Sequence, residues 1–185
     1  MGVISSPMTT DVLVWFKRDL RIADNPVLAR AAELGGRVLP LFIAEPEFWA
    51  QPDASARQWR FVAESLVELR EALGTLGAPL ITRLGRAEDV LADLCATHRI
   101  AHILSLEETG NAWTYARDTR IAAWAKHSGI TWEELPQFGV QRRLKSRDGW
   151  SKTREKVLRR AQINAPDALH GVSEDPGAIP DARDL

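Results

Sequence analysis

Five short apolar runs punctuate the chain: DVLVWF (11–16), RVLPLFI (37–43), APLITRL (78–84), AHILSL (101–106) and ITWEEL (130–135). Most are rich in Val, Ile and Leu and do not alternate cleanly with polar residues. That pattern predicts strands buried on both faces, as in a parallel sheet. The intervening segments repeat at helical spacing. The clearest, 55–76, places Trp59, Val62, Leu66, Leu69, Leu73 and Leu76 three and four residues apart, which makes one apolar stripe. Ser55 and Gln58 fit a capping box at its start, and Gly77 can close its end in the left-handed conformation. Asn25 and Pro26 read as the cap and first residue of an earlier helix that stops at LGG (34–36). A third helix near 87–98 buries Val90, Leu91 and Leu94. A fourth, 112–127, turns Trp113, Ile121 and Trp124 inward and ends at Gly129.

The order is β-α-β-α-β-α-β-α-β. Such alternation predicts a three-layer α/β/α domain with a five-stranded parallel sheet and right-handed crossovers. The connection AEPEFWAQPDA (44–54) is long for a compact domain, and long loops are often functional. After Leu135 the pattern breaks. The organisation expected is a disordered leader at 1–10, the α/β domain at 11–136, a basic loop with a short helix at 137–163, and the start of a linker at 164–185, where Pro, Gly and Asp dominate.

Length and composition agree with one soluble globular domain: 185 residues, 26% of them charged. The net charge of −1 hides an asymmetry. Residues 141–160 hold nine basic and two acidic residues, +7, against fifteen and twenty-three elsewhere, −8. Arg142, Arg143, Lys145 and Arg147 lead that segment and are candidates to face DNA; a solvated helix face is the plainer alternative. Cys95 is the only cysteine, which excludes an intramolecular disulfide and any cysteine-based metal or iron–sulfur site. A reducing, cytoplasmic setting suits this usage. MGVISSPMTT has no apolar run long enough for a signal peptide or a membrane span, although Gly2 and Ser6 meet the loose myristoylation pattern.

Ligands of open parallel sheets sit outside the carboxyl ends of the strands. Those ends carry FKRDLRIADN, AEPEFW, RLGRAED and SLEETGN. Lys17, Arg18 and Arg21 could meet phosphate or carboxylate, with Asp19 and Asp24 holding them or capping the next helix; a salt-bridged loop locking strand to helix is the alternative. Glu107 and Glu108 could accept a ligand hydrogen bond or favour a helix N-terminus. There is no GxGxxG, no GxxxxGK[ST] and no GxSxG, so neither a dinucleotide, a P-loop nor a serine-hydrolase site is supported. His98, His102, His127 and His170 suggest surface or capping roles. Of seven tryptophans, Trp15, Trp59, Trp113, Trp124 and Trp132 occupy core-type positions, while Trp49 and Trp150 are not obviously claimed by packing.

Several segments, VLVWFKRDLRIADNPVLARA, PLFIAEPEFW, WRFVAESLVELREALGTLG, PLITRLGRAEDVL and YARDTRIAAWAKHSGI, together resemble the N-terminal α/β domain of the photolyase/cryptochrome family. The resemblance runs from about Asp11 to Val157, and EETGNAWTYARD with RRLKSRDGW is most similar to a bacterial cryptochrome-like branch.

The resemblance implies a Rossmann-like antenna domain. In the family it sits beside a larger helical domain that binds FAD, where blue or near-ultraviolet light drives repair of pyrimidine dimers in DNA, or signalling. The antenna chromophore is a folate or a deazaflavin. Its site residues, carried over by position, are Lys17, Arg18, Asp19, Arg21, Glu45, Glu107, Glu108 and Asn111. No metal and no membrane are implied, and no segment here resembles the helical FAD domain. FAD, DNA and any lyase activity therefore belong to a parent protein, and this chain alone is expected to carry no catalytic residue. The rival readings are a stand-alone nucleotide-binding α/β domain, of the stress-protein or electron-transfer-flavoprotein type, and a structural domain with an empty cleft.

Overall fold

The computed structural model describes residues 11–137, 140, 142 and 146–185. Five parallel strands, β1 (Asp11–Phe16), β2 (Val38–Ala44), β3 (Ile81–Leu84), β4 (Ile100–Leu106) and β5 (Thr131–Leu135), form one sheet in the order β3-β2-β1-β4-β5. The helices between them are α1 (Pro26–Leu34), α2 (Pro46–Trp49), α3 (Ala56–Thr75), α4 (Ala87–Thr97) and α5 (Ala112–His127); α6 (Trp150–Leu158) follows β5.

Alternation along β1 divides the core. Val12, Val14 and Phe16 face α1 and α3, against Leu28, Trp59, Leu66 and Leu73. Leu13 and Trp15 face α4 and α5, against Leu91, Leu94 and Ile121. These are the three layers the apolar runs predict, since only a strand covered on both faces can be apolar at every position. The exceptions are the two edge strands: β5 is mostly half-exposed, and β3 ends on half-buried Arg83 and exposed Leu84.

The helix starts follow the capping residues. The Asn25 side chain accepts hydrogen bonds from the Val27 and Leu28 amides. The Ser55 hydroxyl accepts from the Gln58 amide (3.3 Å) and donates to the Gln58 side chain (3.0 Å). Two differences from the sequence reading concern packing. The long connection contains α2, and Trp49 on it packs edge-on against Trp59 at 5.0 Å, so the core does claim it. In α5, Ile121 is buried as expected, but the positions ahead of it on that face are Thr114, Arg117 and Asp118, while Trp113 and Trp124 are half-exposed.

Residues 164–185 lie against the domain. Leu169 and Val172 are buried in the two halves of the core. The Val38 amide donates to His170 O (2.7 Å) and the Thr82 amide, on edge strand β3, to Pro176 O (2.8 Å). The Trp59 indole donates to Pro180 O (3.1 Å). A close backbone approach makes this contact possible: a Cβ at Gly171 would stand 2.6 Å from Gly77 O, and Gly77 itself has φ of +95°. Only glycine tolerates both conditions. Among the described residues no helix is long and apolar enough to cross a membrane.

Candidate functional site

In the strand order β3-β2-β1-β4-β5, the topological switch point lies between the carboxyl ends of β1 and β4. Open α/β sheets take their ligands there. Here a side chain from α5 occupies the position. The Arg117 guanidinium lies over Trp15 (4.9 Å) and Trp113 (5.6 Å). It pairs with Glu45 at 2.6 Å, Asp118 at 2.9 Å and Glu108 at 3.5 Å. Arg117 is 4% exposed and Glu45 6%. Burial works against the Arg117 charge, but Glu45 and Asp118 outweigh it and hold the guanidinium above its ordinary value. Burial also lifts the Glu45 carboxyl above the usual range, with Arg117 and the Ala87 amide pulling the other way.

The residues after β1 join this group. Lys17, its side chain 5% exposed, points Nζ at Asp118 (3.3 Å) and Glu134 (3.7 Å) and lies over Trp15 and Trp132. Arg18 reaches Glu108 at 3.2 Å with its side chain more than half exposed. From β5, Glu134 accepts from Arg142 at 2.6 Å, and Arg142 also lies 3.5 Å from Glu107. One chain of ion pairs thus joins Glu45, Arg117, Glu108, Arg18, Asp118, Lys17, Glu134, Arg142 and Glu107. Such a network satisfies the polar groups it buries, and removing a buried member such as Arg117 strands its partners, whereas Arg18 lies at its exposed edge.

Other residues of the motif serve the backbone. Asp19 is buried, accepting from the Lys17 amide (3.2 Å) and the Asn25 side chain (3.3 Å). Desolvation raises its pKa, against those hydrogen bonds and the charge of Arg21. Arg21 donates to Asp24 O at 3.0 Å. Asp24, at φ +48°, exchanges two hydrogen bonds with Ile163 and so holds the chain beyond α6. Asn111 caps α5 by accepting from the Thr114 amide (3.1 Å), while its side-chain amide donates to Asp53.

The sequence reading therefore names residues that come together, Lys17, Arg18, Glu45, Glu107 and Glu108, but it omits the Arg117–Asp118 pair at their centre. A signal was present in the sequence. Thr114, Arg117, Asp118, Ile121 and Ala125 repeat at three and four residues, so the stripe that buries Ile121 also buries the charges one turn earlier. Arg142, expected to face DNA, is turned onto carboxylates; Arg147 is exposed. Arg143 and Lys145 lie outside the described residues.

Open space follows from this filling. Around Arg117 only about 40 Å³ remains, and between Lys17, Asp19 and Glu107 about 170 Å³. The larger cavity, about 420 Å³, lies to one side, between α5 and β5. Trp132, Tyr115, Asn111, Thr119, Ala122 and Arg142 are among its lining residues. The Trp132 indole donates to the Ser105 hydroxyl (3.1 Å) and its ring stands 6.0 Å from Trp15, so this wall is fixed. Among the described residues no group of three or more His, Cys, Asp or Glu side chains could hold a metal ion.

The sequence family model described as DNA photolyase matches residues 12–138. The chain belongs to that family. A cryptochrome DASH of Gloeobacter violaceus is 30% identical over 96% of this chain and 39% of that protein. A deoxyribodipyrimidine photo-lyase of Salmonella typhimurium is 35% identical over 49% of this chain and 20% of that protein. The crystal structure of a bacterial class III photolyase from Agrobacterium tumefaciens superposes with a TM-score of 0.80 at 25% identity, covering 97% of this chain and 39% of that one. An archaeal photolyase from Sulfolobus tokodaii, solved with two FAD molecules, superposes at 0.71 and 25% identity over 88% of this chain. The family's N-terminal α/β fold, expected from the RDLR and DNP residues, is the fold observed. The chain spans about a fifth to two-fifths of the length of these relatives.

Proposed function

We propose that this domain is the antenna-type module of a photolyase or cryptochrome flavoprotein and takes a light-harvesting chromophore of the folate or deazaflavin class in the α5–β5 cavity. The observation that carries this reading is the contrast between the two spaces. At the switch point the Arg117 network leaves about 40 Å³. The cavity beside it offers about 420 Å³, within the range of small-molecule sites. Its donor set also fits such a group. Trp132 and Tyr115 offer aromatic faces, Asn111, Thr114 and Thr119 offer hydrogen bonds, and Arg142 is a cation for an acidic tail. Bound there, the chromophore would absorb near-ultraviolet or blue light and pass the excitation to a flavin.

The chain's own residues bind and orient. Ser105 fixes the Trp132 ring, and Arg142 holds Glu134 until an anion competes for the guanidinium. Of the eight positions expected to hold the cofactor, Glu108 and Asn111 line this cavity. Lys17, Arg18, Glu45 and Glu107 support it through the ion-pair chain, and Asp19 and Arg21 support the β1–α1 turn. FAD, DNA and pyrimidine-dimer repair or blue-light signalling are assigned to the further length that the relatives possess.

The test is an absorption titration of the purified chain with a reduced folate and with a deazaflavin. The expected result is a shifted near-ultraviolet or blue band that saturates near one equivalent with one of the two. An unchanged spectrum with both would remove the antenna role.

A further inference from the structure

The 164–185 segment is held to the domain in two ways. Its earlier part is anchored by burial of Leu169 and Val172. Beyond Val172 no residue is fully buried, and residues 174–178 are held by hydrogen bonds and ion pairs before half-buried Ile179 returns to the core. Pro176 O accepts from the Thr82 amide (2.8 Å) and from Arg70 of α3 (3.0 Å). Ala178 O accepts from the Thr82 hydroxyl (2.9 Å), and Asp175 O from Arg83 (3.0 Å). These contacts cover the outer edge of β3, at the opposite side of the sheet from β5 and its cavity.

Glu174 joins three elements. Its Oε1 accepts from Arg83 of β3 at 2.6 Å, and its Oε2 lies 2.9 Å from His98 Nε2. All three side chains are largely shielded from water. His98 is the C-cap of α4, where the carbonyl end of the helix also favours a cation. Of these three side-chain types only histidine changes charge near neutrality. The other ionisable groups around the cluster are Asp175, which accepts from the Gly177 amide, Arg70 across β3, and Arg99, next to His98 in the chain. Cys95, one turn earlier on α4, has its thiol pushed up to about 11 by burial and stays neutral over the same range.

We infer that His98, Glu174 and Arg83 form a pH-sensitive clasp on this segment. With an imidazolium at His98, cations hold Glu174 from both sides. With a neutral imidazole, Arg83 alone supplies the charge attraction. The clasp is therefore tighter at acid pH and loosens as pH rises through the histidine range. Loosening frees residues 174–178 while Leu169 and Val172 stay buried, so it bares the edge of β3 and leaves the domain folded. An uncovered edge strand offers its amides to another chain, and the clasp sets when this edge is covered.

The test is amide hydrogen exchange of the whole chain at pH about 5.5 and about 7.5, corrected for the intrinsic pH dependence of exchange. Protection of the Thr82 amide should fall roughly fivefold between the two. The Leu169 amide, bonded to Leu76 O at 2.6 Å, should keep its protection. His98→Gln and Glu174→Gln should each abolish the pH dependence at Thr82. His170→Gln, which alters the segment's own exposed histidine, should preserve it. Circular dichroism of each variant checks that it is folded. Equal Thr82 protection at both pH values in the wild type overturns the clasp. So does a pH dependence that survives in folded His98→Gln or is lost in His170→Gln, or a Leu169 amide that changes as much as Thr82.

Discussion

Arg117 shows how one side chain can decide what a fold leaves open. Its guanidinium stands between Glu45, Glu108 and Asp118 and lies over Trp15. Truncation to Met would leave those carboxylates buried without their cation, so Arg117→Met should lose about 3–5 kcal/mol in urea unfolding. The exposed Arg18→Ala should lose about 1 kcal/mol or less. Asp19 gives a pH test. Burial raises its folded pKa above the unfolded 3.8. Its cost of ionisation is absent below the unfolded value and grows as pH rises through the folded one. The stability of wild type relative to Asp19→Asn should therefore fall as pH rises from that acid limit, measured by parallel urea melts. An increase over the same range would contradict the assignment. At this scale the caps were legible in the sequence, because Asn25 and Ser55 act on amides two or three residues away. The burial of Arg117 was legible in its helical stripe, but its pairing with Glu45 was not, because Glu45 comes from the end of β2, 72 residues away in the chain.

Elements were legible where one periodicity ruled a segment. The strands and the long helix α3 follow their apolar pattern to within three residues at each end. The segment after Gln162 was not legible as a packed piece. It has no periodicity because its regular structure is limited to a three-residue 3₁₀ turn, Ala182–Asp184, and it docks through single residues and backbone hydrogen bonds. Leu169 is 6% exposed in the core beside α3. Leu169→Ala should thus destabilise the domain by about 2–4 kcal/mol, whereas a free linker would show no change. Thermal or urea unfolding of that variant checks the point. The β5 run ITWEEL is the least apolar of the five, and it carries two carboxylates that an edge strand can place in ion pairs.

At the scale of the molecule, a chain that spans about two-fifths of its Gloeobacter relative keeps the complete five-stranded sheet and both helical layers. Family resemblance supplied the fold, while the physical filling of the switch point leaves the larger open space beside it, between α5 and β5, which is where the proposed chromophore would sit. The ion-pair chain then serves as the rigid back wall of the α5–β5 cavity, since Glu108, Asp118, Glu134 and Arg142 belong to both. The most direct measurement is a chromophore absorption titration of three proteins: the wild type, Ala122→Trp, which places an indole in the cavity, and Arg18→Ala, which clears the edge of the switch point. The account predicts binding by the wild type and Arg18→Ala and none by Ala122→Trp. Unimpaired binding by Ala122→Trp, or loss of binding by a folded Arg18→Ala, would contradict it.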